Sequence, residues 1–162
     1  MAIYSKTLSD DRILSLIPEN KKHILLVACG GCVNESLAYD HDNPILVFDD
    51  ENNSIPYASK VEAKRISAVL ETSGCGVEIK LLTGDMPVLC IYSESDTSIL
   101  DTMTNPDLIL TISCASGAMG MKFLTDTPVI SITHQVGYVS YTYRDADSKR
   151  LIIKESSRCQ MI

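Results

Sequence analysis

Two long apolar segments place the strongest limits on the fold of this chain. HILLVA at positions 23–28 and LILTISC at positions 108–114 contain no Asp, Glu, Lys or Arg. Continuous apolar runs of this kind are typical of strands that are buried on both faces of a parallel sheet. The first segment leads directly into Cys29-Gly-Gly-Cys32, and the second ends in Cys114 followed by Ala-Ser-Gly-Ala. The sequence therefore predicts a parallel sheet with cysteine-bearing turns at the ends of two strands.

The remaining hydrophobic pattern predicts helices between further strands. Apolar residues at helical spacing indicate an amphipathic helix over 57–72, and shorter apolar runs indicate the other elements. We expect strands at 77–82, 86–92 and 128–133, and helices at 8–17, 32–41, 93–103 and 119–125. The last segment, 138–162, alternates polar and apolar residues as a β-hairpin does. The predicted fold is a single α/β domain over 1–162, three-layered and Rossmann- or flavodoxin-like, with a mainly parallel sheet, an N-terminal helix in 1–20 and a C-terminal hairpin over 138–162.

Length and charge exclude several classes of function. A chain of 162 residues with a formal net charge of −7 is long enough for one domain with its own core, and it lacks the basic stripe of a nucleic-acid-binding protein. Its charge also opposes binding to an anionic membrane surface. No segment reaches the roughly 20 apolar residues of a transmembrane helix, and the N-terminus carries charges where a signal peptide is apolar. We therefore expect a cytoplasmic protein.

Six cysteines stand out in such a chain. In a reducing cytosol they are not expected to form structural disulfides, which favours a metal or redox role for some of them. Free cysteine is also among the most buried residue types, so an ordinary place in the core is the competing interpretation.

Four cysteines are predicted to meet at one edge of the sheet. Ligands of open α/β sheets bind beyond the carboxyl ends of the strands, where Cys29, Cys32 and Cys114 fall, and Cys90 lies in or just after the segment MPVLCIY. A Cys-x-x-Cys turn lets two thiolates bind one iron or zinc ion, and two more cysteines complete four ligands. The candidate metal ligands are Cys29, Cys32, Cys90 and Cys114. A thiol redox pair and purely structural cysteines remain the alternatives.

Neighbouring residues are candidates for contacts with a cofactor. The backbone N–H groups of Gly30 and Gly31 can point at the cysteine sulfurs, and those of the small-residue turn with Ser116 and Gly117 can receive an anion. His134 follows the 128–133 strand and is a candidate substrate contact or a neighbour of the metal ligands. The small residues of the second turn can equally serve only to bring a helix close to a strand. Of the two other cysteines, Cys75 is expected to be structural and Cys159 an exposed thiol.

The segments that carry these residues resemble a known family. DDRILSLIPENKKHILLVACGGC, PVLCIYSESD, PDLILTISCASGAMGMKFL and TPVISITHQVGY are similar to the small subunit of bacterial methylenetetrahydrofolate reductases, a MetV-like family that is also described as the methylenetetrahydrofolate reductase C-terminal domain. The resemblance covers roughly residues 8–140. It implies a subunit that carries cysteine-ligated metal, passes electrons to the flavin of a partner reductase, and uses the matching Cys29, Cys32, Cys90 and Cys114.

This chain departs from the family pattern at two places. Family members usually have another cysteine shortly after CGGC, where this chain has Val33-Asn34-Glu35-Ser36-Leu37. They also continue into a cysteine-rich C-terminal segment, where this chain has the predicted hairpin. The resemblance is therefore to a truncated and divergent member that lacks a second metal site.

Three functions follow from these observations. The first is an accessory or electron-transfer subunit of a larger oxidoreductase, with no catalytic residue of its own, holding an iron–sulfur cluster of the 4Fe-4S type or, alternatively, zinc. Its partner is a larger reductase subunit or a second copy of the chain. The second is a stand-alone enzyme that uses a Cys/His pocket with His134 at the strand ends. The third is a zinc or thiol redox module.

Overall fold

The computed structural model describes residues 2–51, 53–83, 88–91, 105–139, 143–144, 151–152 and 158–160. The elements along the described chain are β1 (Ala2–Thr7), α1 (Asp10–Ser15), β2 (His23–Ala28), α2 (Cys32–Asp40), β3 (Leu46–Phe48), β4 (Ser54–Pro56), α3 (Tyr57–Thr72), β5 (Gly76–Leu81), a 3₁₀ turn (Leu89–Ile91), β6 (Leu108–Ile112), α4 (Ala115–Leu124), β7 (Val129–Ser131), β8 (Thr133–Val139), β9 (Tyr143–Arg144), β10 (Leu151–Ile152) and β11 (Arg158–Gln160). The protein is thus a mixed α/β protein, as the sequence predicted.

Four parallel strands form the main sheet, in the order β5-β2-β6-β7. β2 and β6 are its two inner strands, and all side chains in 24–28 and 108–112 are buried. This confirms the interpretation of the two apolar segments as strands buried on both faces. The chain places β5 on one side of β2 and then crosses to β6 on the other side, so the order of strands reverses between β2 and β6.

Helices cover this sheet as their apolar faces require. α3 packs against β2 and β5 and buries Ala63, Ile66 and Leu70, which lie on one face at helical spacing. It ends at Thr72, and Gly74, two residues later, has a φ of 90° and so adopts a left-handed conformation that side-chain-bearing residues rarely take. α4 packs against β7 and the 3₁₀ turn. The predicted helix over 57–72 is confirmed to the residue, whereas α4 begins at Ala115, four residues before the predicted start.

A smaller antiparallel sheet has the order β1-β8-β11. Its first strand corrects the prediction of an N-terminal helix over 1–20, because only α1 is helical there and residues 2–7 are extended. The helix predicted over 8–17 is present in a shorter form, and its N-cap is Ser9, whose hydroxyl accepts a hydrogen bond from the N–H of Arg12 at 3.4 Å. β1 forms by pairing with β8 at the far end of the chain, which no local sequence pattern indicates. Within 138–162, β9 pairs antiparallel with β10, consistent with the predicted hairpin.

The segment 86–92 was predicted to be a strand, and the part of it that the structure describes does not agree with that prediction. Residues 89–91 form the 3₁₀ turn, not a strand. Both sides of β2 and of β6 are already paired with other strands of the sheet, which leaves no position beside either for another strand. The helix predicted over 93–103 lies outside the described residues. Within the described part of the chain, no helix is both long and apolar enough to cross a membrane.

Candidate metal centre

The candidate site lies where the strand order reverses, at the carboxyl ends of β2 and β6. In doubly wound sheets this reversal opens a crevice between two neighbouring strands, and ligands bind there. β2 and β6 end in register, with Ala28 opposite Ile112. Cys29 follows the first strand directly, and Cys114 follows the second after Ser113. The strand order therefore brings two cysteines from distant parts of the chain to the same crevice.

Cys29 is the most enclosed of the four candidate ligands. Only 4% of it is exposed, and burial is the main cause that raises the pKa of its thiol to about 11. Backbone hydrogen bonds from Leu89 and Gly31 lower this pKa, but by less than burial raises it. The N–H of Gly31 donates to the sulfur of Cys29 at 3.5 Å. Repulsion from the charges of Cys114 and Cys90 raises the pKa further, with a smaller effect than burial.

Cys32 is the first residue of α2 and is partly exposed. Burial again contributes most to raising the pKa of its thiol, with smaller contributions from the negative charges of Cys114, Glu35 and Cys90. A backbone hydrogen bond from Ile3 in β1 acts in the opposite direction. The N-terminal strand therefore contacts the candidate site.

The side chains of α2 hold β1 in that position. Ser36, one turn after Cys32, accepts a hydrogen bond from the N–H of Ser5 at 3.1 Å and lies 3.3 Å from the carbonyl oxygen of Ile3. One turn further, Asp40 accepts a hydrogen bond from the hydroxyl of Tyr4. Residues at this spacing share one face of a helix. Cys32, Ser36 and Asp40 thus form a stripe that fixes the edge of β1 beside the site.

Cys90 reaches the site on the 3₁₀ turn, which is wedged between two other segments. A Cβ at Gly120 of α4 would collide with the carbonyl oxygen of Leu89 and lie 3.5 Å from Cα of Cys90. On the other side, a Cβ at Gly31 would lie 2.7 Å from a methyl group of Val88. Glycine at both positions lets the turn approach α4 and the CGGC turn closely. Cys90 itself is exposed, so the site has a buried side and an open side.

Cys114 is buried at the N-cap position of α4. The preceding residue, Ser113, presents its carbonyl oxygen to the hydroxyls of Thr133 and Ser131, the second at 3.4 Å. These contacts tie the end of β6 to the segment of β7 and β8, and they fix the point at which the chain turns into α4.

Sequence reasoning missed the buried polar residues that support Cys29. The hydroxyl of Ser59 in α3 donates to the carbonyl oxygen of Cys29 at 2.7 Å, and both residues are buried. The N–H of Ser59 in turn donates to the side chain of Asn34, whose amide donates to the carbonyl of Ile45 at 2.8 Å. The sequence offered one sign of this contact, which is a polar residue among the apolar residues of a helix. That residue is Asn34 of α2, and it is completely buried.

The other predicted contact residues occupy different environments. Gly30 and Gly31 lie in the turn between β2 and α2, where Gly31 is the N-cap of the helix. Gly117 is buried against Ser113 and Leu89, as expected of a residue that permits close packing, and Ser116 beside it is exposed. His134 is exposed in β8, where it pairs with Lys6 of β1. Its role as a cofactor or substrate contact remains a prediction.

The donor chemistry of the site fits a thiolate-bound metal. All five cysteines whose side chains are described are free thiols; the charges of Cys114 and Cys90 affect the pKa values of Cys29 and Cys32, whereas Cys75 is buried in another region. Four thiolates are the ligand set of iron–sulfur clusters and of many zinc sites. Within the described residues, no three His, Cys, Asp or Glu side chains are already grouped so that they could hold a metal ion. Ligation would therefore require the cysteine sulfurs to move closer together.

No family model, curated protein or solved structure matches this chain.

Proposed function

We propose that the protein holds a metal centre bound by the thiolates of Cys29, Cys32, Cys90 and Cys114, with a 4Fe-4S cluster as the first candidate and zinc as the alternative. One observation carries the proposal: the thiols of Cys29 and Cys32 both interact electrostatically with those of Cys114 and Cys90, which come from two other segments of the chain. In the proposed centre, three separate segments of the chain supply soft ligands to one crevice.

The pKa values favour a metal over thiol–disulfide chemistry. The attacking cysteine of a thiol–disulfide enzyme has a lowered pKa, because the thiolate is the nucleophile. Here burial raises the pKa of Cys29 to about 11 and raises that of Cys32 as well. A bound cation favours the deprotonated form of a coordinating thiol and would offset both burial and mutual repulsion.

The chain supports such a centre in three ways. Backbone hydrogen bonds from Leu89, Gly31 and Ile3 reach two of the sulfurs, as they do around cysteine-bound iron–sulfur clusters. Cys29 and Cys114 are buried and keep water from one side, whereas Cys90 is exposed on the other. An iron–sulfur cluster supplies one-electron transfer, and an open side suits exchange of electrons with another protein. The proposed role is therefore an accessory, electron-transferring subunit of a larger oxidoreductase.

We also propose the finer fold, partner and location on which this role depends. The strand order β5-β2-β6-β7 corresponds to the 2-1-3-4 order of flavodoxin-like sheets, which supports a three-layer Rossmann-like domain. The resemblance to the small subunit of methylenetetrahydrofolate reductases suggests a flavin-bearing reductase as partner. Free thiols at all five described cysteines are compatible with the reducing cytoplasm.

Anaerobic purification with metal and sulfide analysis tests the proposal. About four irons and four acid-labile sulfides per chain, with a brown colour, support the iron–sulfur centre, and about one zinc per chain supports the alternative. Cys32→Ser should lose the metal. Cys75→Ser is the matched control, since Cys75 precedes β5 at the opposite end of the sheet, and it should keep the metal. Protein without bound metal, or metal that survives Cys32→Ser, would contradict the proposal.

A further inference from the structure

β5 forms one edge of the main sheet among the residues that the structure describes. It pairs with β2 on one side, and no described strand pairs with its other side. A free strand edge presents backbone N–H and C=O groups that can pair with another chain, and proteins usually protect such edges with prolines, bulges or very short strands. β5 has six residues, contains no proline and pairs with β2 without a shift in register. Its outer edge is therefore regular and suited to strand pairing.

The hydrogen bonds to β2 determine which backbone groups of β5 point outward. The N–H groups of Gly76, at its start, and of Leu82, just after its end, donate to carbonyls of β2 at 2.7 and 3.0 Å. Alternate residues of a paired strand bond to the same neighbour. The residues between these two whose N–H and C=O groups point away from the sheet are therefore Val77, Ile79 and Leu81. Within the described part of the chain, no turn or loop bonds to these outward groups.

The same strand carries two opposite charges on either side of an exposed isoleucine. Ile79 is 38% exposed, and its neighbours Glu78 and Lys80 are partly buried. These two neighbours lie on one face of the sheet, because side chains two residues apart in a strand point to the same side. Among the described residues, both ion pairs have Arg65 as their cation, so neither Glu78 nor Lys80 takes part in one.

The geometry points to a second copy of this chain as the occupant of this edge, with the two β5 strands antiparallel about a two-fold axis at Ile79. In this register the N–H and C=O groups of Ile79 bond to those of its counterpart. The groups of Val77 bond to those of Leu81 in the other copy, so every outward group of the strand is paired. Glu78 of each copy then lies directly opposite Lys80 of the other, with about 5 Å between their Cβ atoms.

This register alone satisfies both the hydrogen bonds and the charges. An axis at Glu78 or at Lys80 would place two like charges directly opposite each other, which destabilises a strand pair. A shift by one residue would set the outward groups against groups that are already bound to β2. A strand of another protein would have to carry the matching order of charges, whereas the order Glu-Ile-Lys complements itself in an antiparallel pair. The self-complementary sequence therefore favours a second copy over a different partner.

α3 enlarges the interface beyond the two strands. The helix packs over both β5 and β2, and neighbouring strands lie about 4.8 Å apart. Across the proposed axis, the two α3 helices therefore lie about 10 Å from each other, which is the distance between packed helices. The proposed interface thus contains a helix pair on one face of a continuous sheet.

The charge of the whole chain opposes this association only at long range. The net charge is −7, whereas β5 is neutral, with Glu78 and Lys80 as its charged residues. At about 0.15 M salt, exposed charges more than about 8 Å apart are largely screened, and the Glu78–Lys80 pairs lie within that distance. We therefore expect the dimer to form at this ionic strength. The inference does not depend on whether the cysteines hold a metal.

Sedimentation equilibrium up to about 1 mM protein, in about 0.15 M salt, measures the association. Glu78→Lys and Lys80→Glu should each raise the Kd at least about tenfold, because each change turns both cross-strand pairs into like-charge pairs. Lys122→Glu is the matched control, since it alters the net charge as Lys80→Glu does but at an exposed position of α4. It should change the Kd far less.

A charge swap tests the register itself. The double variant Glu78→Lys with Lys80→Glu keeps the net charge of −7 and should dimerise as the wild type does, because each Lys again lies opposite a Glu. An equimolar mixture of the two single variants should associate for the same reason. A wild-type chain that stays monomeric at about 1 mM, or a double variant no tighter than the single ones, overturns the inference.

Ile79→Pro tests the backbone pairing. Proline removes an N–H that points outward, so it leaves the bonds of β5 to β2 in place and removes the hydrogen bonds at the axis. The variant should have the circular dichroism spectrum of the wild type and be monomeric. A folded Ile79→Pro that dimerises as tightly as the wild type overturns the inference. The charge-swap series decides the question even if this variant does not fold.

Discussion

The backbone N–H of Cys29 donates to the carbonyl oxygen of Ile112 at 3.0 Å. This bond continues the pairing of β2 with β6 past the last paired residues, Ala28 and Ile112. The start of the CGGC turn is thus fixed to the end of the strand that leads into Cys114. Two cysteines that are 85 positions apart in the sequence become neighbours through regular sheet pairing.

Removal of the Ser59 hydroxyl should destabilise the turn at Cys29. In Ser59→Ala, the buried carbonyl of Cys29 loses a 2.7 Å hydrogen bond, and the loss of one such hydrogen bond costs about 0.5–1.5 kcal/mol. Urea unfolding measures this loss. Thr72→Ala is the matched control on the same helix, because its hydroxyl also donates to a carbonyl but is exposed to solvent. Equal stabilities of the two variants would show that the Ser59 contact contributes little.

Substitution of Gly120 should displace the turn that carries Cys90. A methyl group there meets the carbonyl of Leu89, which belongs to the backbone and cannot rotate away, so Gly120→Ala should cost about 1–3 kcal/mol by overpacking. If Cys90 is a ligand, metal content should fall together with stability. Gly76→Ala is the control, since its nearest neighbour would be an ordinary 3.7 Å away. Thermal unfolding and metal analysis of both variants test this prediction. It would be contradicted if Gly120→Ala had the stability and the metal content of the wild type.

The thiol of Cys29 should be unreactive at neutral pH once any metal has been removed by a chelator. With its pKa raised to about 11 by burial, the folded state favours the neutral thiol, so the resulting stability is present below the ordinary pKa of about 8.5 and is lost as the pH rises through 11. Alkylation followed by peptide mass spectrometry should show modification of exposed Cys90 first, and of Cys29 only toward pH 11. Equal rates for the two thiols at pH 7.5 would contradict the assignment.

The sequence contained most of what determines the main sheet but little of what surrounds the site. Apolar runs such as 23–28 and the 3.6-residue period of 57–72 are local signals, and the structure has these elements with the expected bounds. β1 has no such signal, because it depends on pairing with β8 and on contacts from α2. The turn at 89–91 was predicted as a strand because a short apolar segment does not reveal whether it joins a sheet or packs against a helix, as this turn does against α4.

The sequence predicted where the candidate site lies, but it did not predict most of the contacts that surround the cysteines. Strand-terminal cysteines and the rule for carboxyl edges led to Cys29 and Cys114 from the sequence alone. The contacts of Ser59 and of Asn34 depend on how α2 and α3 pack, and a serine at a helix start has no distinctive pattern. His134 was expected just after the 128–133 strand as a neighbour of the site, and it lies exposed within β8.

Asp107 should make the stability of the sheet sensitive to acid at the end opposite the cysteines. Its carboxylate accepts hydrogen bonds from the N–H groups of His23 and Lys22 at 3.1 and 3.2 Å, which lower its pKa, the His23 bond most. Because the pKa is lowered in the folded state, the stabilisation is present above the unfolded pKa of about 3.9 and is lost as the pH falls through the lower, folded value. Asp107→Asn should therefore be less stable than the wild type at pH 7, and the difference should shrink as the pH falls from about 4 toward 2. Melting temperatures of both proteins across this range test it, and a difference that stays constant with pH would show that the ionised form of Asp107 has no special role at the start of β2.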